Sequence, residues 1–178
     1  MGKGKKARRS AGSDSGMNAT VLVKSFNDTL RVAELHRLVQ SAFASLPIDP
    51  PSGVLKETLA DFKKRLETET ALVAEALDPP DKGALVGSMF CIEEADALYV
   101  GRLAVRNDFR RRGVASALLD AAKAECRRRG FGRVTLSTRI ALADNIALFR
   151  RHGFVVVAET CHPGFSHPTS YDMELRLS

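Results

Sequence analysis

A chain of 178 residues with 44% hydrophobic content has the length of one domain and enough apolar material for one core. No apolar run approaches the roughly 20 residues that a helical membrane span needs, which excludes such a span. The net charge of +6 hints at a polyanion partner, but +4 of it falls within residues 1–17; without Trp, with two Tyr and no binding motif, the chain lacks the features of a specific nucleic-acid reader.

Residues 1–17 read as a flexible basic tail, because a Gly/Ser/Lys/Arg segment buries too little apolar surface to order itself. The segment has no apolar stretch of a secretory signal, and Lys6 stands where a myristoylation signal needs Ser or Thr. Cys91, Cys126 and Cys161 are widely spaced and odd in number, which fits reduced thiols and a cytoplasmic location. Residues 18–178 form the domain proper.

Alternation in Ala19–Phe26 predicts the first strand. Asp28 caps a helix whose inner face is Leu30, Ala33, Leu35, Leu38, Val39 and Ala42. A proline-rich loop, Ser45–Gly53, carries Asp49 as its one charge. A second helix is expected from Val54 to Glu69, turning Leu55, Leu59, Phe62 and Leu66 inward. Strands then follow at Ala71–Ala76, Ala84–Glu93 and Ala97–Val105, the last two as a hairpin. A helix runs from the Arg-rich turn to Arg129, where three arginines suit the negative helix end and Gly130 suits the position beyond it. A strand at Arg133–Thr138, a helix from Asp144 to His152 and strands at Gly153–Thr160 and Ser170–Leu177 complete the order. Hairpins mixed with helical crossovers predict an α/β fold: a mixed sheet of about seven strands flanked by helices.

The stretch "FRRRGVASALL" (Phe109–Leu119) sits between a strand and a helix. The first backbone N–H groups of a helix lack internal partners and carry partial positive charge, so a phosphate fits there. Gly113 and Ala115 are small enough for close backbone approach. The spacing matches neither a P-loop nor a dinucleotide fingerprint. Arg110-Arg111-Arg112-Gly113-Val114-Ala115 does resemble the Arg/Gln-x-x-Gly-x-Gly/Ala motif of the GNAT superfamily of N-acetyltransferases. "LYVGRLAV" before it and "NIALFRRHGF" after it are similar to that family's central strand and later helix.

The resemblance implies acetyl-CoA as acyl-donor cosubstrate, held where the parallel strands Leu98–Val105 and Arg133–Thr138 splay apart. Backbone groups of Leu103, Ala104 and Val105 would pair with the pantetheine arm like an added strand. Arg110, Arg111, Arg112, Gly113, Val114 and Ala115 would cradle the pyrophosphate, with Asn145 and Phe149 beside the thiol end. The reaction implied is direct attack of a primary amine, from a small molecule or peptide, on the thioester. An amine with pKa near 10.4 is about one part in a thousand neutral near pH 7.4, a deficit of about 4 kcal/mol that a base or a desolvating pocket offsets.

Phe149 stands where many members of the family have a proton-donating tyrosine. The central strand also has no glutamate. Tyr171, Glu93 and His162 are therefore the candidate proton-transfer residues, with Tyr99 or water as substitutes. Cys161, His162 and His167 lack a fourth ligand at a useful spacing, so no metal is assigned. Asp49 is a candidate attractor of a cationic amine. A cofactor-binding module that senses acetyl-CoA or serves a partner subunit is the alternative reading. The resemblance also allows a homodimer paired through the last strand, and requires no membrane and no specific nucleic acid.

Overall fold

The computed structural model describes residues 18–178; the tail assigned to residues 1–17 lies outside them. Seven strands form one sheet: β1 (Val21–Ser25), β2 (Thr70–Ala76), β3 (Leu85–Glu93), β4 (Leu98–Val105), β5 (Arg133–Arg139), β6 (Val155–Thr160) and β7 (Ser170–Arg176). Their spatial order is β1-β2-β3-β4-β5-β7-β6. Every neighbouring pair is antiparallel except β4 and β5.

That parallel pair positions the site. It is held only at Leu98–Val134 and Tyr99–Thr135, and beyond these residues the two strands part. β7 pairs with β5 along its full length on the far side, so the gap opens in the middle of the sheet.

Helices cover both faces. α1 (Val32–Ala44) and α2 (Leu59–Arg65) lie on one; α3 (Val114–Arg128) and α4 (Ala143–Arg151) lie on the other. Leu35, Val39 and Phe62 pack from the first pair against Val73 and Phe90. Leu118, Leu119 and Phe149 pack from the second against Val86, Val100 and Leu136. Each such side chain, once buried, contributes about 1.5–3 kcal/mol. Cys91 and Cys126 are small core residues, and Cys161 is exposed.

Two expectations from periodicity are corrected. Leu30 is 93% exposed, because Asp28 caps a short 3-10 turn (Thr29–Arg31) rather than α1 itself. The helix expected over Val54–Glu69 divides into a 3-10 turn (Gly53–Lys56) and α2. The break has a local cause: Thr58 accepts from the Asp61 amide while Asp61 accepts from the Thr58 amide, a capping box that starts a new helix. The Glu57 carbonyl is turned toward His36 and Gln40 of α1, and Val54, not Leu55, is buried.

Candidate active site

The parted strands line a cavity of about 1150 Å³. From Val100 onward β4 has no strand partner on its β5 side, so its backbone can pair with an extended ligand. β4 is also bulged there. Ser88 faces Ala104 and Phe90 faces Gly101, so Arg102 and Leu103 both oppose Met89. A bulge re-aims side chains; here Arg102, at φ 52°, reaches Glu57 at 2.5 Å. Glu57 also meets Arg65 at 2.8 Å, so the α1–α2 connection is clamped to β4 by a charge network.

At one end of the cavity the three motif arginines take separate tasks. Arg112 stacks 4.4 Å from the Phe109 ring, whose other cation neighbour is Arg106 at 4.5 Å; this fixes the turn entering the loop. Arg110 crosses to the end of α1, donating to Ser45 Oγ at 2.9 Å. Arg111 stands at the mouth, 3.7 Å from Asp144, with both side chains about 90% exposed. The backbone is left-handed at Arg111 (φ 58°) and at Gly113 (φ 81°), which gathers successive amides into a concave run suited to an anion. No side chain caps α3, so its first amides have no partner of that kind. Ala19 donates to the Arg112 carbonyl at 2.9 Å, bracing the loop from below. These features fit a pyrophosphate.

At the other end the walls are the loop after α1, the end of β5 and the loop after β6. Arg139, the last residue of β5, donates to the Pro50 carbonyl and, at 2.9 Å, to His162 Nδ1. Nδ1 also lies 2.6 Å from the Thr169 hydroxyl, and with both Arg139 and that hydroxyl as donors the His162 proton is assigned to Nε2; burial together with the Arg139 charge holds its pKa below the ordinary histidine value. Tyr99 is half-buried in the fork of the strands, its ring over Gly101, where a Cβ would meet Cε1 at 2.9 Å. Burial pushes its phenol pKa up; the nearby Ser137 backbone N–H opposes part of that rise.

Of the residues expected at the cofactor, Leu103, Val105, Arg110, Arg111, Ala115, Asn145 and Phe149 line the cavity. Ala104 and Val114 are buried in the two cores and, with Arg112 and Gly113, are not among the residues that line the cavity. Phe149 meets Phe154 edge-on at 6.0 Å. Of the three proton-transfer candidates, His162 lines the cavity. Glu93 lies at the closed end of the hairpin, paired with Arg129 at 2.8 Å. Tyr171 sits on β7 between Thr138 and Glu159 and is absent from the cavity wall. Arg102 and Arg139 are wall residues that sequence reading missed; the one signal was an arginine closing the alternating strand "RVTLSTR". Among the described residues no three His, Cys, Asp or Glu side chains gather as a metal site, and no helix is long and apolar enough to cross a membrane.

Comparison with known proteins agrees with this geometry. Residues 33–154 match the model of the acetyltransferase (GNAT) family. The chain is similar to the ribosomal-protein-S18-alanine N-acetyltransferase from Escherichia coli (18% identity, TM-score 0.68, 89% of this chain and 95% of that one). It is similar also to the PaiA N-acetyltransferase from Thermoplasma acidophilum in complex with coenzyme A (13% identity, TM-score 0.69, 88% and 99%). A chain of the NatC complex bound to Gag peptide and CoA gives 16% identity and TM-score 0.68, over 89% and 99%. At such identities the likeness establishes the fold. No curated protein sequence matches. By its family match over most of its length, the chain belongs to the acetyltransferase (GNAT) family, whose cosubstrate is acetyl-CoA.

Proposed function

We propose that the protein is an N-acetyltransferase that moves the acetyl group of acetyl-CoA to a primary amine of a small molecule or peptide. The observation that carries this reading is the parting of β4 from β5 after Tyr99, directly beside an uncapped helix start and a left-handed amide loop. One end of the cavity thus suits phosphate, the middle suits an extended amide-containing arm, and the far end is left for the acceptor. The peptide bound to the NatC complex supports a peptide amine as one class of acceptor.

In this reading the amides of Arg111–Ala115 hold the pyrophosphate with Arg110 and Arg111 as counter-charge. The backbone of Leu103–Val105 aligns the pantetheine arm, and Asn145 and Phe149 wall the thiol end. Tyr99 donates the proton that the leaving thiolate needs, since a phenol kept neutral by burial is an acid at physiological pH. His162, neutral and with Nε2 as a donor, orients the acceptor rather than deprotonating it. The ammonium proton passes to water, a release favoured by the positive wall, because like charge disfavours the protonated amine.

Calorimetric titration with acetyl-CoA, wild type beside Arg111→Glu, tests the reading. The exposed side chain makes this a charge reversal with little folding burden, and affinity should fall about tenfold or more. Failure of the folded wild type to bind acetyl-CoA would overturn the proposal. Binding without thiol release across a broad amine panel would favour the sensing module, which Phe149 in the family's tyrosine position keeps as the second reading.

A further inference from the structure

The charges of the cavity wall divide unevenly. Arg102, Arg110, Arg111, Arg139 and Arg151 line it, against Asp144 as the one carboxylate. Asp144 belongs to the phosphate mouth, beside Arg111, and Arg110 and Arg151 stand on that side with it. Arg102 is neutralised by Glu57 at 2.5 Å. Arg110 and Arg151 share with Arg139 the lack of an ion pair, but Arg139 is the one set between the two loops of the acceptor end. It closes β5 at the acceptor end, and among the described residues no carboxylate lies within ion-pair distance of it.

Its two hydrogen-bond partners are uncharged: the Pro50 carbonyl and the Nδ1 of neutral His162. They hold the guanidinium in place from two different loops without balancing its charge. Asp49, exposed on the proline-rich loop, acts on Arg139 only through space. A guanidinium carries five N–H donors in a rigid fork; two are used here, so three remain for a ligand. A half-buried, pre-oriented cation with spare donors is the arrangement that recognises a carboxylate in two-point fashion. It would equally repel an acceptor whose only charges are ammonium groups.

We infer that the acceptor is an amine that also carries a carboxylate, as an amino acid does, and that the Arg139 fork, set between Pro50 and His162, holds that carboxylate while the amine faces the thioester. The inference rests on the transferase reading for the amine's fate, but the carboxylate site stands on its own. Asp49 then acts on Arg139 rather than on a cationic substrate, in place of the role expected from sequence.

The test separates the two claims. Amino acids and their carboxamides are titrated in matched pairs into the protein saturated with coenzyme A, and the same pairs are assayed for thiol release with acetyl-CoA. The expected result is a preference of about tenfold to a hundredfold for the acid of at least one pair, lost in Arg139→Gln and partly kept in Arg139→Lys. Titration of each variant with coenzyme A alone verifies that the cleft is intact. Equal binding of acid and amide, absence of binding by any acid, or stronger turnover of purely cationic amines overturns the carboxylate site. Acid-selective binding with no thiol release leaves the carboxylate site standing and removes the transferase reading.

Discussion

Of the two tyrosines, Tyr99 is the one that lines the cavity at the fork of the sheet, and its chemistry follows from burial. Tyr99→Phe keeps the ring over Gly101 and removes the proton. Turnover should fall about a hundredfold, the low end for a general acid, since water can protonate a weakly basic thiolate; affinity for acetyl-CoA measured by titration should stay as it is. An unchanged kcat would make Tyr99 a wall and nothing more. The same group predicts a pH effect. Its folded-state pKa is raised, so its contribution to stability is complete below the unfolded value of about 10 and is lost as pH rises beyond it. Thermal melts above pH 10 should therefore decline less steeply in Tyr99→Phe. The three adjacent arginines teach a related lesson: side by side in sequence, they face a ring, a helix end and the solvent.

Among the elements, α3 begins at the proposed phosphate end and is seated by close contact with β3. A Cβ at Gly87 would lie 2.7 Å from Val114 Cγ1 and 3.1 Å from Leu118 Cδ1. Val114 is β-branched and fully enclosed, so it cannot swing aside. Gly87→Ala should destabilise by about 1–3 kcal/mol, visible in urea melts, and should weaken acetyl-CoA binding because the start of α3 moves with Val114. At the other end of α3, Arg128 and Arg129 hold the Glu125 carboxyl down to about 2, each at 2.6 Å. A depressed carboxylate stabilises above the unfolded value near 4.5 and loses that contribution as pH falls toward 2. Melting Glu125→Gln beside wild type should show a deficit at neutral pH that disappears in that acid window. Local signals made most elements readable: strand alternation, the Arg-rich helix end, Gly130. The second helix was misjudged because its apolar spacing runs across a break, although the Thr58–Asp61 capping box was present in the letters.

For the whole molecule, the turn proposed to hold phosphate was legible as a turn because it is local: six consecutive residues make it, with the left-handed glycine and the helix start. At the other end His162, Tyr99 and the proline-rich loop were singled out one by one, but Arg139, and the meeting of Pro50, Tyr99, Arg139 and His162 from four separate segments, were not. Spacing along the chain holds no trace of such a meeting. The bulge in β4 escaped for the same reason, being defined only by how β3 lies against it. Ligand binding should register globally. Acetyl-CoA at about a hundred times its Kd adds about 2.7 kcal/mol to stability, which for a chain of this size raises Tm by about 5–10 °C; dephosphorylated or desulfurised analogues report which end contributes. The parted middle of the sheet has a consequence outside catalysis. Open strand edges are ordinarily confined to the rim of a sheet, where proteins guard them; this sheet keeps two of them inside, where β4 and β5 part. Coenzyme A or acetyl-CoA bound as proposed would cover both, so limited proteolysis should cut the free protein faster than the saturated one.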